Sequence, residues 1–483
     1  MVRILLLALA VLAGVLVFRT LTYTSDVPPA AETDAAPVEL DDAVVLDHLS
    51  QAITFRTVSL QPPAPIDQQA FTGFLDWLQV TYPEVFRTLT VERPGGGYSL
   101  LFTWAGEEPQ AAPVLLAAHY DVVPVVAGTE SLWRHPPFAG RVADGYVWGR
   151  GALDNKNAVV GLMEAVSWMV ARGERPRRTV YLSFGHDEEV GGEQGAAGVV
   201  ASLRDRGVRL AWSLDEGSFV FENMFPGVEI PIATINIAEK GSVNVRIVAT
   251  AEGGHSSMPP RQTAVGRLAE ALVALEESPM PGGLEGLSAE SFDAIAPHMP
   301  FLPRLMFANR WLFGPLVESQ LETLPFANAM LRTTTAPTML SASPKVNVLP
   351  AEAVATVNFR VHPRDSVEDV VLHVEALVAG EHVRVEALPG HPASAVADRQ
   401  AEGFRLVTEA VRAEFGRVVV APGLLVAATD SRHYARIADD AFRFNPMIVN
   451  SAEVAGFHGT NERIRTDGML KGVRAYVRLL RSL

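Results

Sequence analysis

The sequence predicts an α/β fold: a larger domain with a mostly parallel sheet and helices on both faces, plus an inserted smaller α+β domain. Three observations carry this. The short unbroken apolar runs at Val114–Ala118, Thr179–Phe184 and Leu210–Leu214 have the composition of strands buried on both faces. They alternate with helical patterns, the clearest placing Val159, Leu162, Met163, Val166, Met169 and Val170 on one face, as parallel strands joined by helices require. The rhythm then changes at Glu239-Lys240-Gly241. Ser242–Thr250 alternates, with Val243, Val245 and Ile247 on one side, which is a strand with one wet face.

At 483 residues the chain is long for one core, so more than one domain is expected. After Met1-Val2-Arg3 comes the uncharged, largely apolar run Ile4–Phe18, which with Arg19–Tyr23 reaches the ~20 residues that a bilayer span needs. A signal peptide competes with this reading. No small-x-small cleavage pattern directly follows Phe18, which favours an uncleaved anchor and export of the remaining chain. Residues 1–24 are thus an anchor or signal segment and 25–40 a Pro/Ala-rich linker; 41–241 and 389–483 form the catalytic domain, and 242–388 the inserted unit.

Helical periods occupy Leu40–Arg56 and Ile66–Tyr82. The strand at 114–118 leads into His119-Tyr120-Asp121, and the glycine-punctuated loop Val147–Lys156 carries Asp154. The strand at 179–184 exits into His186, Asp187, Glu188 and Glu189 and then a glycine pair, and the strand at 210–214 into Asp215-Glu216-Gly217. In the smaller unit, helices are expected at Ala264–Leu275 and Ser366–Val378 and a strand at Val354–Val361. An apolar insert at 279–337 carries Phe301, Phe307, Trp311, Phe313 and Phe326. It is read as core packing of the small domain, with a wall for a greasy substrate or a membrane-facing surface as alternatives. The chain then returns through the Ala401–Phe415 helix, the Leu425–Tyr434 loop, Gly456–Glu462 and a terminal helix.

A net charge of −15 argues against nucleic acid as a partner. With no cysteine, a transition metal must sit on imidazole and carboxylate. Adjacent Glu188 and Glu189 repel, and a fold tolerates such a pair where a cation or a catalytic task uses it. Ligands of open α/β sheets bind outside the carboxyl ends of the strands, so the polar residues at the strand exits share one rim. His119, Asp154, Glu189, Asp215 and His458 are the candidate metal ligands there. Oxygen and imidazole donors suit zinc, with cobalt or manganese as substitutes. Five ligands suit two ions if one carboxylate bridges, the pair polarising a carbonyl and activating a water between them. Glu188, next to a ligand, is placed to take that water's proton, and Asp121, on the same side of an extended segment as His119, to accept its ring N–H. His186 and Asp187 are taken as structural.

The motifs His119-Tyr-Asp-Val-Val-Pro124, Gly149-Arg-Gly-Ala-Leu-Asp-Asn-Lys156, Gly185-His-Asp-Glu-Glu189, Leu214-Asp-Glu-Gly217, Gly254-His-Ser-Ser257 and His458-Gly-Thr-Asn-Glu462 span most of residues 42–483. In these the chain resembles the co-catalytic dizinc aminoacylase/carboxypeptidase family. Glu239-Lys-Gly-Ser242, Arg332-Thr-Thr-Thr-Ala336, Val357-Asn-Phe-Arg-Val-His-Pro363 and Thr429-Asp-Ser-Arg432 are most similar to its carboxypeptidase S branch, which includes a secreted enzyme that makes and hydrolyses N-fatty-acyl amino acids. The resemblance implies that Asp154 bridges, that His119 and Asp215 hold one zinc and that Glu189 and His458 hold the other. Glu188 would be the base and Asp121 the orienter. His255 matches a histidine that crosses a dimer to stabilise the oxyanion, so the inserted unit would be a lid and a homodimerisation domain. Asn347 and Arg360 match residues that bind the substrate carboxylate, with Asp430 and Ser431 assigned to substrate as well. Asn155 follows the bridging Asp154 where many relatives have a second aspartate, with only an indirect effect expected.

The function expected is that of an exported, membrane-tethered dizinc hydrolase. It would cleave or form the amide of N-acyl amino acids or small peptides with a free carboxylate. A catalytically retired binding protein on the same fold is the competing reading.

Overall fold

In a computed structural model of the chain, residues 1–24, 37–62, 64–378 and 380–483 are described. The linker expected at 25–40 lies largely outside them.

The central sheet has ten strands. Its order runs Thr90–Glu92, Leu100–Trp104, Val180–Gly185, Val114–His119, Leu210–Asp215, Ala438–Arg443, Ile232–Glu239, Val220–Phe221 and Ile448–Val449, with Val419–Leu425 beside Ile232–Glu239. The strands that matter for the site, Val180–Gly185, Val114–His119, Leu210–Asp215 and Ala438–Arg443, pair in parallel. Side chains alternate across a strand, so a strand buried on both faces feeds two cores. Val114, Leu116 and Ala118 join the large cluster under helices Lys156–Val170, Glu402–Phe415 and Thr466–Arg481. Leu115 and Ala117 join a second cluster beneath Ala196–Asp205. The unbroken apolar runs therefore have a physical cause: each residue has a core to fill.

The smaller sheet is antiparallel, in the order Thr334–Ser341, Glu352–Val361, Gly241–Thr250 and Val383–Ala387. Glu352–Val361 alternates buried and half-buried residues along its length, and Ala353, Ala355, Val357 and Phe359 pack under helices Ala264–Glu277 and Val367–Val378. Strands of the large sheet come from residues 90–239 and 419–449, and those of the small sheet from 241–387.

Met280 and the strand start at Thr334 join the small domain, but the helices of the apolar insert do not enter its core, contrary to the expectation. Helices Gly286–Ile295, Phe301–Ala308, Arg310–Glu322 and Pro325–Leu331 form a core of their own around Phe292, Phe307, Val317 and Leu331. Ile295 and Met299 connect it to Ile232, Val419 and Ala421 of the large sheet. Of the aromatic residues named above, Phe307 is buried and Phe313 half-buried, whereas Phe301, Trp311 and Phe326 are exposed. Composition marks a stretch as apolar but does not say which core it enters. The N-terminal segment is a helix, Val2–Thr22, long and apolar enough to cross a membrane, with Thr20 its one buried residue.

Candidate metal centre

His119 is the last residue of its strand and is buried. Its Nδ1 lies 3.0 Å from the Asp121 carbonyl oxygen and 3.3 Å from Asp121 Oδ1. A carbonyl can only accept, so Nδ1 carries a proton and Nε2 is the nitrogen turned into the site. There Nε2 meets Asp154 Oδ1 at 3.0 Å and Glu216 Oε1 at 3.1 Å. On the far side of Asp154, Oδ2 lies 3.1 Å from His458 Nε2, which is 3.3 Å from Glu189 Oε2. Two groups that could each hold a metal ion result, His119–Asp154–Glu216 and Asp154–Glu189–His458. Asp154 belongs to both.

These donors fit a cation in each group. Donors of a tetrahedral zinc site, at bonds of ~2.0–2.1 Å, lie ~3.3 Å apart, and the contacts above approach that edge length. The charges fit as well. Burial disfavours ionisation of Asp154, yet hydrogen bonds from His119 and His458 outweigh it and hold the carboxyl well below its usual range. Burial, then Asp154 and Asp121, push Glu189 up to about 7, and burial and Asp154 push Glu216 up to about 8, each against the opposing histidines. Burial also raises Glu188 strongly, with Glu216, Asp430 and Glu189 adding to it and His119 opposing. So many carboxylates crowd two rings that only additional positive charge lets all of them ionise.

Glu216 stands in the first group, where Asp215 was expected. Asp215 ends its strand buried, its Oδ2 unpaired, belonging to neither group. Successive side chains at a strand exit face opposite ways, so one member of the Asp215-Glu216 pair can reach the centre. Burial raises the Asp215 pKa to about 6, with Arg443 among the charges opposing it.

Glu188 and Glu189 lie on a short 3₁₀ turn, Glu188–Val190. Asp121 Oδ1 accepts from the Glu188 N–H and Oδ2 from the Glu189 N–H, each at 3.2 Å. One carboxylate thus orients His119 and also fixes the turn that presents both glutamates. The Val123 N–H donates to Glu189 Oε1 at 3.2 Å, which leaves Oε2 toward His458. Glu188 Oε2 stands 3.9 Å from His119 Nε2, close to the centre without belonging to either group. His186 and Asp187 are structural, as expected: His186 Nδ1 meets Ser99 Oγ at 2.7 Å, and Asp187 accepts from the N–H groups of Gln194 and Gly195.

The Asp154 loop is held by Glu462, a residue the motif included without a role. Glu462 Oε1 accepts from the N–H groups of Gly151, Leu153 and Asp154 at 2.8–3.1 Å, and Oε2 pairs with Arg150 at 2.5 Å, all buried. Asn155 Oδ1 accepts from Asn445 at 3.1 Å, a contact behind the centre. His458 itself sits at φ 53°. That left-handed backbone is uncommon for a residue with a Cβ, and it turns the imidazole back toward Asp154.

The substrate residues divide. Asp430 and Ser431 are buried, Asp430 against Gly192 beside the Glu188–Val190 turn. A Cβ on Gly192, whose φ is 67°, would lie 1.9 Å from Asp430 Oδ1, so only glycine fits there. His255 and Asn347 are exposed on small-domain turns that meet: the Ser256 N–H donates to the Asn347 carbonyl at 3.2 Å, and His255 pairs with Val348. Arg360 is half-buried on the wet face of the small sheet, and no carboxylate pairs with it among the described residues. Burial, then the charge of Arg432, lower its pKa. Arg432 in turn donates to the Gly191 carbonyl beside the glutamate turn, so its charge joins Arg360 to the catalytic rim.

The sequence profile of peptidase family M20/M25/M40 matches residues 115–482. Along nearly its whole length the chain is similar to the N-fatty-acyl-amino acid synthase/hydrolase of Xenopus tropicalis (36% identity, 99% of this chain and 94% of the relative). It is similar also to a probable carboxypeptidase S-like protein of Dictyostelium discoideum (35% identity, 97% and 91%). The fold is that of an M20 metallo-carboxypeptidase from Sulfolobus solfataricus, with a TM-score of 0.66 and 16% identity over 92% of this chain and 99% of the other. Human carnosine dipeptidase 1 follows at a TM-score of 0.64 and 17% identity, over 91% and 96%. With a matched span that begins at the His119 strand and closes in the terminal helix, the chain belongs to peptidase family M20/M25/M40, the metallopeptidases.

Proposed function

We propose that this enzyme is a dizinc hydrolase of N-acyl amino acids or small peptides with a free carboxylate, anchored to a membrane by Val2–Thr22 with its remaining domains exported. The observation that carries the metal reading is the placement of Asp154, whose two oxygens face two separate donor groups. His119 and Glu216 would hold one ion, Glu189 and His458 the other, and Asp154 both. Bound there, the ions supply Lewis acidity for the amide carbonyl and lower the pKa of the attacking water.

The chain's own residues do the rest. Glu188 takes the proton of the water and returns it to the leaving nitrogen, so its carboxyl must lie close to the centre without being a ligand. Asp121 keeps the His119 Nε2 lone pair directed inward and holds the glutamate turn. Arg360 binds the substrate carboxylate, for which a planar guanidinium is the natural partner, and Asn347, at the other end of the small sheet, is read as a second substrate contact. The 242–388 unit is read as a lid and homodimerisation domain that brings His255 to the oxyanion. The relatives, an N-fatty-acyl-amino acid synthase/hydrolase and a probable carboxypeptidase S-like protein, support this substrate class. One site serves both directions, so condensation of fatty acid and amino acid is the reverse of the same chemistry.

Chelation should remove activity and zinc restore it. Glu188→Gln should keep the metal content while kcat falls by about 10²–10⁴-fold. A Glu188→Gln protein with full turnover would sink the mechanism.

A further inference from the structure

The exposed apolar face of the helical insert has a place in the fold that defines what covers it. Phe301, Leu302, Trp311, Leu312, Leu316 and Phe326 are all exposed, Leu302 at 66% and Trp311 at 59%. From Ala294 to Val317 the chain has no acidic residue while Arg304 and Arg310 are present, in a protein of net charge −15. The stretch is thus apolar with a basic component, in contrast to the acidic remainder.

This face adjoins the N-terminal helix. Arg19 Nε donates to the Ala308 carbonyl at 3.2 Å, and the buried Asn309 side chain donates to the Leu16 carbonyl at 3.2 Å. Tyr23 packs on the insert core and its hydroxyl donates to Asp293 Oδ1 at 2.5 Å; Asp293 also pairs with Arg310. A helix of 21 residues is ~31 Å long, about the hydrocarbon thickness of a bilayer, so a spanning Val2–Thr22 has little length to spare. Its turns from Leu16 to Thr22 cover ~10 Å of rise, and the insert is bonded to those turns. That is the depth to which interfacial helices embed.

We propose that helices Phe301–Ala308 and Arg310–Glu322, with Phe326, form a face that embeds in the outer part of a lipid bilayer beside the anchor. The proposal rests on the membrane-tether reading above. The insert also leads directly to the catalytic rim: the Lys240 ammonium donates to the carbonyls of Ala329 and Arg332, and neighbouring Glu239 accepts from Thr429, next to Asp430. An enzyme seated this way has its rim beside the leaflet in which long-chain amphiphiles dissolve.

The chain has no cysteine, so single labels are clean. Full-length Leu302→Cys, Trp311→Cys, Leu316→Cys, Val15→Cys and Val80→Cys proteins, each carrying a nitrobenzoxadiazole label, would be reconstituted into phosphatidylcholine/phosphatidylglycerol vesicles containing nitroxide lipids. Val15 lies within the anchor, and Val80 is an exposed residue of the large domain. Labels at 302, 311 and 316 should be quenched several-fold more than the label at 80, most by shallow nitroxides, and the label at 15 most by deep ones. Quenching at 15 without quenching at the insert overturns the lipid face and leaves the tether standing. Labels at 15 and at the insert that all behave like the one at 80 overturn both. Blue-shifted insert labels that lipid nitroxides do not reach indicate cover by a second copy of the chain, and that too overturns the proposal.

Discussion

At the residue scale, the division of labour between Glu188 and Glu189 follows from where each carboxylate can point. The Val123 N–H fixes one oxygen of Glu189 and leaves the other toward His458, while Glu188 is left beside His119. The same reasoning separates Asp215 from Glu216, which sequence could not do. Both are acidic and both follow the strand, and only the register of the strand exit decides which faces His119. Glu216→Ala should therefore lower the metal content from two ions to one per chain, while Asp215→Asn should keep two. Inductively coupled plasma mass spectrometry on the purified variants distinguishes the cases, and the opposite pattern would return Asp215 to the ligand set. The convergence of His119, Asp154, Glu189 and His458 was legible because each stands where an apolar run or glycine loop ends.

At the element scale, the centre is assembled from loops whose geometry is held from behind. Glu462 satisfies three backbone donors of the Asp154 loop and a buried guanidinium at once. Glu462→Gln exchanges one acceptor oxygen for an amide and weakens that hold. It should raise the metal Kd by about 10–100-fold, the usual effect of disturbing a residue that orients a ligand. Isothermal titration of zinc into the chelator-treated protein measures it, and an unchanged Kd would show that the loop holds itself. Such support is hard to read from sequence, because Glu462 lies far along the chain from the loop it holds. The strands and most helices were legible for the opposite reason: their signals are local. Val114–His119, for instance, shows its two-sided burial in five apolar residues before the histidine.

At the scale of the whole molecule, the two sheets are joined at Glu239–Gly241, where the last residues of a large-sheet strand continue into the first small-sheet strand. The fold class and the change of rhythm there were both readable. The insert's place was not: an apolar helix pair looks the same whether its partner is the small sheet, the large sheet or a lipid leaflet. Across the join, Arg360 faces Arg432, two cations without a carboxylate between them among the described residues. In the proposed function a substrate carboxylate would supply one. Arg360→Ala should raise KM for an N-acyl amino acid by about 10–100-fold, the worth of a hydrogen bond to a charged group, and leave the corresponding amino amide unaffected. Equal loss on both substrates would show that Arg360 acts on the fold and not on the carboxylate.

The proposed mechanism requires Asp154 to stand between two cations. Anomalous diffraction at the zinc edge, from crystals grown with zinc, tests that directly. Two peaks are expected about 3.5–4 Å apart, one within bonding distance of His119 and Glu216, the other of Glu189 and His458, with one oxygen of Asp154 on each. A single peak, or a pair that leaves Asp154 on one side, would contradict it.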